Sequence, residues 1–593
     1  MQIPFQFKPQ TEWIPPMDLK DLSDATEIAI DLETCDPNLT TSGSGATNGN
    51  GFVVGIAVAV DGWQGYFPIA HEGGGNLDKR IVLDWFQEVL NTNANKIFHN
   101  AMYDVSWIRA MGLNINGRII DTMIAGSLIN ENRFSYTLDS MGKEFLGFGK
   151  NETNLRQAAK DWNIDPKKDM WRLPAMEVGS YAEKDAELTL KLWQRLQQEL
   201  TIQDLWSVFT LETDLFPCLI DMKFKGVRVD MERADTIKKE IVKKEKKTLL
   251  DIKKEVGFDV EIWAATSCAL AFDKVNLPYD KTDKGNPSFT KNFLSTHPHP
   301  LAKNITLARE LNKAHTTFID TIIKHEHKGR IHADINQIRS DQGGTVTGRF
   351  SYSNPNLQQV PARNKDLGPM IRSIFIPEEK CQWGCFDYSQ QEPRILVHYA
   401  SLDNFRSVDT IIEKYKNSDA DFHQSVADMA GIERKQAKTI NLGLMYGMGK
   451  NKLMAELGLQ VDAAEKLIKQ YHASAPFVKQ LMDSVSRRAQ DSGRIRTIGG
   501  RVCHFDLWEP VTFGVFKSLS HEDALKEYGN GIKRAFTYKA LNKLIQGSAA
   551  DMTKTSMLAL YKEGIIPHIQ VHDELDISVE SPEQASKIIE IME

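Results

Sequence analysis

Between residues 23 and 125, short apolar runs alternate with helical stretches, and this alternation is the feature that most constrains the fold. Glu27-Ile28-Ala29-Ile30-Asp31 and Phe52 to Val60 read as strands, and Ile81 to Leu90 reads as a helix. An α/β unit is the expectation. Between the first two strands lies the polar, glycine-rich stretch Thr41 to Gly51, a composition that predicts a mobile surface loop.

At 593 residues the chain exceeds one hydrophobic core, and typical domain sizes predict about three to five compact units. No segment offers the roughly 20 consecutive apolar residues of a membrane span. The N-terminus, Met1-Gln2-Ile3-Pro4-Phe5, lacks the charged and apolar regions of a secretory signal, so a cytoplasmic protein is expected. Six scattered cysteines include one close pair, Cys381 and Cys385, with no second pair or nearby histidine to complete a zinc site; free thiols are expected. A net charge of −7 is not the footprint of a uniformly basic nucleic-acid binder, so any such contact must come from local basic faces.

From about 204 to 256 the pattern turns helical, and lysines from Lys238 to Lys254 crowd one segment, interspersed with Glu240, Glu245, Asp251 and Glu255. Either a solvated helix or a phosphate-facing one fits. Strands and turns return over 335–400, residues 405–490 are mostly helical, and 569–580 reads as two short strands joined at a His-Asp-Glu tip.

Two constellations of acidic residues carry chemistry. Asp31 and Glu33 lie two apart on a strand, so both carboxylates project from one face, an arrangement suited to shared divalent-metal ligation. His99-Asn100-Ala101-Met102-Tyr103-Asp104 follows a second strand, and Tyr181 and Asp185 stand one helical turn apart. This ordered set resembles the DEDDy class of 3′→5′ exonucleases, with their RNase H-like fold. The resemblance implies that Asp31, Glu33, Asp104 and Asp185 hold two divalent ions and that Tyr181 orients the attacking water. Asn100 matches a residue near the bound strand, or is simply a turn-forming asparagine.

The second constellation comprises four blocks: Thr347-Gly348-Arg349-Phe350-Ser351 running on to Arg363-Asn364; Phe386 to Arg394 around Asp387; Arg434 to Gly447; and Gln570-Val571-His572-Asp573-Glu574-Leu575. In the third, Arg434, Lys438, Leu442 and Tyr446 recur every four residues and form one helical stripe. Together the blocks resemble the family A DNA polymerases, in particular a phage-type member, and the resemblance runs from about residue 25 to the end. It implies an α/β and α+β multidomain protein: exonuclease over 1–200, thumb over 201–345, palm over 346–405 and 535–593, and fingers over 406–534.

The resemblance assigns roles residue by residue. Asp387 and Asp573 would hold two Mg²⁺ (or Mn²⁺) ions, with Glu574 in support. Arg434, Lys438 and His423 would meet the triphosphate, and Glu392 and Tyr446 would crowd the sugar 2′ position so that deoxynucleotides are preferred. Arg349, Gln546 and His572 would line the minor groove at the primer end, while Asn356, Gln358 and Arg363 would position template or primer. Arg309 and Lys313, one turn apart in the thumb, are either phosphate contacts or solvent-facing. Primer-template DNA and dNTPs are the implied partners, with other phage replication proteins beside them, and the implied state is a monomer in the cytoplasm of a phage-infected bacterium.

The pattern has departures. Leu442 stands where the family usually has Phe or Tyr, which reduces the surface against the incoming base, and Tyr538 replaces a basic residue. The chain starts directly with the exonuclease-like region, without the 5′-nuclease domain of many cellular relatives, and ends at Glu593 soon after the Asp573 block. The rival readings are an exonuclease with a non-catalytic nucleic-acid-binding C-terminal region, a single-subunit RNA polymerase, and a non-catalytic scaffold. Intact Asp387 and Asp573 oppose the first and third; Glu392 and the exonuclease motifs oppose the second.

Overall fold

The computed structural model describes residues 11–338, 345–361, 364–405, 407–417, 421–445, 461–512 and 514–593. Its N-terminal unit is built on a five-stranded sheet. The order runs Trp63–Pro68, Phe52–Val60, Glu27–Cys35, Asn95–Phe98, Ile119–Asp121. The first three strands pair antiparallel and the last two join in parallel, which places Glu27–Cys35 at the centre. That strand is buried on both faces over the apolar run Ile28-Ala29-Ile30, which Asp31 and Glu33 then interrupt.

The helix Ala175–Ile202 packs on this sheet. Its buried stripe runs through Val178, Ala182, Asp185, Ala186, Thr189, Leu192, Trp193, Leu196 and Leu200, the three- and four-residue steps of one helical face. Each large apolar side chain in that stripe contributes about 1.5–3 kcal/mol by leaving water. Asp185 falls on the same stripe, so the packing that holds the helix also drives its carboxylate toward the sheet.

The stretch 41–51 departs from expectation. It forms the short helix Gly45–Asn48, with Ser44 and Ala46 buried. The Asp36 carboxylate accepts the Gly45 N–H at 3.1 Å, and Ser44 lines a cavity of about 310 Å³ with Asp334 and Asn354, which are distant in the chain. A neighbouring unit supplies the packing partners that local composition lacks.

Helices Trp206–Lys225 and Met231–Val256 follow. In the second, Ala234, Ile237, Ile241, Thr248, Ile252 and Val256 form the buried stripe, while Lys239, Lys253 and Lys254 pair with Asp235, Asp259 and Asp251 at the surface. The lysine-rich segment is thus an amphipathic helix with a solvated, partly neutralised face. In the C-terminal half a three-stranded antiparallel sheet has the order Gln382–Asp387, Glu574–Val579, Ile569–Val571. The 23-residue helix Ala540–Lys562 is largely buried, and residues 408–492 are mainly helical among those described. All six cysteines are free. Among the described residues, no helix is long and apolar enough to cross a membrane.

A buried ionic cluster ties these parts together. Glu212 accepts from Arg501 Nη2 at 2.5 Å and from Lys554 Nζ at 2.6 Å, while Arg501 also reaches Asp551 at 2.8 Å. All four residues are buried. Burial opposes the Glu212 charge, but Lys554 and Arg501 outweigh it and hold the carboxyl below its ordinary value.

Candidate active sites

In the N-terminal unit, Asp31 and Glu33 project from one face of the central strand, and Asp185 meets them from the helix above. One ligand oxygen from each lies within 4.8 Å of the others. Asp104, on the helix Ala101–Ala110, accepts the Leu32 main-chain N–H at 3.0 Å, which locks that helix to the strand between the two acids. Burial, and then the Asp185 charge, push the Asp31 carboxyl up to about 7. Glu33 and Asp104 are raised well above their ordinary values, in both cases first by burial and next by Asp31. Clustered buried carboxylates that resist ionisation are a site in need of positive charge. An all-oxygen donor set suits a hard divalent cation such as Mg²⁺ or Mn²⁺.

Tyr181 lines an adjoining cleft of about 850 Å³ together with His99, Asn100 and Lys150. Asn100 is exposed and has a left-handed backbone, φ 71°. Its N–H and that of Ala101 donate to the two Asp121 carboxylate oxygens at 3.0 and 2.8 Å. Asp121 belongs to none of the acidic motifs; its signal in the sequence is the apolar Ile119-Ile120 run followed by Asp-Thr at a helix start. Lys150 likewise lies outside those motifs, and its ammonium reaches Asp185 at 2.5 Å and the Tyr181 hydroxyl at 3.1 Å. Burial disfavours the Lys150 charge, but Asp185, Asp31 and Glu33 outweigh it and hold the ammonium above its ordinary value.

The second site lies at the end of the three-stranded sheet. Asp387 is the last residue of its strand and pairs with Glu574, the first residue of the next, so Asp573 sits at the hairpin tip beside it. The Tyr388 N–H donates to the Asp573 carbonyl at 3.3 Å, which holds the tip against the end of the Asp387 strand. Two carboxylates placed side by side at a strand end can share a proton or a cation. Burial raises Asp387; burial and then the Asp387 charge raise Asp573. Glu574 and Asp576, two apart on one strand, gather with Cys385 on the adjacent strand. Arg372 reaches Glu574 at 3.8 Å.

Around this pair, Arg349 forms a half-buried ion pair with Glu392. Gln546 is part-exposed on the helix Ala540–Lys562, and His572 is exposed at the hairpin tip with φ 60°. Arg434 and Lys438 are exposed on the helix Arg434–Met445, where Leu442 is half-buried. Arg434 Nε donates to Asp421 at 2.6 Å. Arg363 and Tyr446 lie outside the described residues.

Several expected contact residues are engaged within the protein. Arg309 donates to the carbonyls of Ile262 and Phe289 at 2.6 and 2.8 Å and stacks on Trp263, so its guanidinium braces the local fold instead of facing a phosphate. Lys313, one turn on, is exposed. His423 is buried against Asn441 at 3.0 Å, and burial pulls its imidazole down to about 4, so it is a neutral packing partner here. Asn356 accepts the Gln358 N–H at 3.1 Å as a helix cap, and Gln358 donates to Gln570.

The sequence model of the 3′-5′ exonuclease matches residues 18–201, and that of DNA polymerase family A matches residues 231–593. The chain belongs to DNA polymerase family A. This family A polymerase is 36% identical to a DNA-directed DNA polymerase of Pseudomonas phage M6, an alignment covering 100% of this chain and 95% of that one. It is 30% identical to DNA polymerase DpoZ of Acinetobacter phage SH-Ab 15497, with 84% of each chain covered. The solved structure described as the POL domain of Pol1 from M. smegmatis in complex with DNA primer-template and dNTP shares its fold. That TM-score is 0.75 at 22% identity, over 96% of this chain and 93% of the other. The protein is a DNA-directed DNA polymerase with an attached 3′-5′ exonuclease domain, and families of both kinds use divalent metal ions.

Proposed function

We propose that Asp387 and Asp573 form the nucleotidyl-transfer site and that Asp31, Glu33, Asp104 and Asp185 form the hydrolytic one. The observation that carries this reading is the pairing of Asp387 with Glu574 across the sheet, which brings the tip residue Asp573 beside the end of the Asp387 strand. Two Mg²⁺ or Mn²⁺ ions at each site would activate an attacking oxygen and offset charge on phosphorus. The first pair would be held by Asp387 and Asp573 with Glu574 in support, the second by Asp31, Glu33, Asp104 and Asp185.

The remaining roles belong to side chains. Arg434 and Lys438 present positive charge to the triphosphate of an incoming dNTP. Glu392, held by Arg349, blocks the space a ribose 2′-hydroxyl would need. Gln546 and His572 offer donors to the minor-groove acceptors that every correct base pair presents. Tyr181 orients the water that attacks the terminal phosphodiester. On this reading the thumb spans 201–345, the palm 346–405 and 535–593, and the fingers 406–534. The polymerase acts as a monomer on primer-template DNA in the cytoplasm of a phage-infected bacterium, alongside other phage replication proteins.

Primer extension with Mg²⁺ tests the assignment, comparing wild type with Asp387→Ala and dNTPs with NTPs. Extension by the wild type with dNTPs only, and none by Asp387→Ala, is the expected result. Extension surviving in Asp387→Ala would refute it.

A further inference from the structure

Lys150 belongs to none of the acidic motifs, yet its ammonium contacts two residues of the hydrolytic set. Nζ lies 2.5 Å from Asp185 Oδ2 and 3.1 Å from Tyr181 Oη, and 5.2 Å from the centre of the Tyr181 ring. The side chain is only 22% exposed.

The approach is built into the backbone. The Lys150 N–H donates to Asp139 Oδ1 at 2.9 Å, and Asp139 lies in the first turn of the helix Leu138–Leu146. Gly149 makes this possible, because a Cβ there would come within 2.2 Å of the same Asp139 oxygen. A loose surface lysine that paired with the nearest acid would have no such support, and its rotamer entropy would favour solvent.

The consequence falls on Tyr181. An ammonium has only donors, so Lys150 must donate to the phenol oxygen. With that lone pair engaged, the phenol proton turns away from Lys150, while the same ammonium also holds the Asp185 carboxylate. Lys150 thus bridges Tyr181 and Asp185, and because it can only donate, the direction of both hydrogen bonds is fixed.

We propose that Lys150 is a positioning residue of the 3′→5′ hydrolytic site, holding the Tyr181 hydroxyl in the orientation that hydrolysis requires. The inference rests on the assignment of Asp31, Glu33, Asp104 and Asp185 to that site. In the reaction, the water oxygen forms a bond to phosphorus and the bond from phosphorus to the 3′ oxygen breaks. The water gives up one proton and the departing 3′ oxygen takes one up, so a nucleoside 5′-monophosphate and a strand shortened by one residue result. Misdirecting a group that orients the attacking water costs about 10²-fold in rate.

The test uses the full-length protein with Lys150→Met, Lys150→Arg, Tyr181→Phe and the double variant Lys150→Met/Tyr181→Phe, and Asp31→Ala as the control for the site itself. On single-stranded DNA with Mg²⁺, Lys150→Met should lower kcat for hydrolysis about 10²-fold with KM unchanged, and Lys150→Arg should recover part of the loss. In the Tyr181→Phe background, Lys150→Met should cost less than threefold more, because the two act as one unit. A second readout is independent of activity. In metal-free protein labelled with 3-fluorotyrosine, the ¹⁹F resonance assigned by its loss in Tyr181→Phe should shift or broaden in Lys150→Met. An unchanged kcat, fully multiplicative losses in the double variant, or an unmoved Tyr181 resonance would each overturn the proposal. Hydrolysis surviving in Asp31→Ala would instead overturn the site assignment on which it rests.

Discussion

Arg349 and Glu392 form an ion pair beside the Asp387 strand end, with side chains 20% and 11% exposed. Arg349 comes from the turn after Gly348, and Glu392 from the first turn of the helix Gln391–Leu402. A carboxylate held this way keeps one position and can act as a wall. Glu392→Ala should raise incorporation of NTPs relative to dNTPs on the order of 10-fold or more. Competition assays on one primer-template measure that ratio; an unchanged ratio would remove Glu392 from sugar selection.

Leu442 lies half-buried on the same helix as Arg434 and Lys438. A ring there would add stacking surface against a base, worth about 1–3 kcal/mol. Leu442→Phe should lower the KM for dNTPs and alter sugar discrimination while leaving primer-template affinity unchanged. Steady-state constants identical to wild type would show that Leu442 only packs.

Glu131 joins the exonuclease unit to the rest of the protein. It accepts from the His504 N–H and Nδ1 at 2.8 Å each, and from Lys543 Nζ at 2.8 Å. Burial alone would raise its carboxyl, but His504 and Lys543 outweigh burial and hold it below the ordinary 4.5. A carboxyl depressed in the folded state contributes stability that is present above its unfolded value and lost as pH falls through the folded one. Thermal melting of the wild type should therefore weaken more steeply than that of Glu131→Gln as pH drops below 4.5. Parallel curves would contradict the assignment.

The Glu212, Arg501, Lys554 and Asp551 cluster predicts a stability effect. Glu212→Ala leaves two cations in a buried site with Asp551 alone, at a cost of about 3–5 kcal/mol. Urea unfolding should show this loss, while Asp204→Asn, which removes the charge at the exposed pair with Arg496 and tolerates the left-handed backbone there, should leave the midpoint unchanged. Gly348 touches the same cluster: its φ is +85°, and a Cβ would come within 2.4 Å of Arg501 Nε. The glycine next to Arg349 is thus required by packing as well as by the turn.

The sites were legible where periodicity or local turns fix direction. Asp31 and Glu33 share a face because a strand alternates, and Asp573 sits at a tip because its charges interrupt two apolar runs. What the sequence hid depends on partners distant in the chain. The polar stretch 41–51 packs because Asp334 and Asn354 close a cavity over it, and Arg309 turns inward because the Ile262 and Phe289 carbonyls capture it. Lys150 belongs to no periodic pattern, and only the tertiary fold brings it to Asp185 and Tyr181.

Two separate carboxylate sites on one chain, one for synthesis and one for hydrolysis, should give separable activities. The most direct measurement follows a mismatched primer-template with Mg²⁺ and dNTPs, using wild type, Asp387→Ala and Asp31→Ala. Asp387→Ala should shorten the primer without extending it, and Asp31→Ala should extend matched primers but fail to remove the mismatch. Loss of both activities in either correctly folded variant, or survival of both, would contradict that separation.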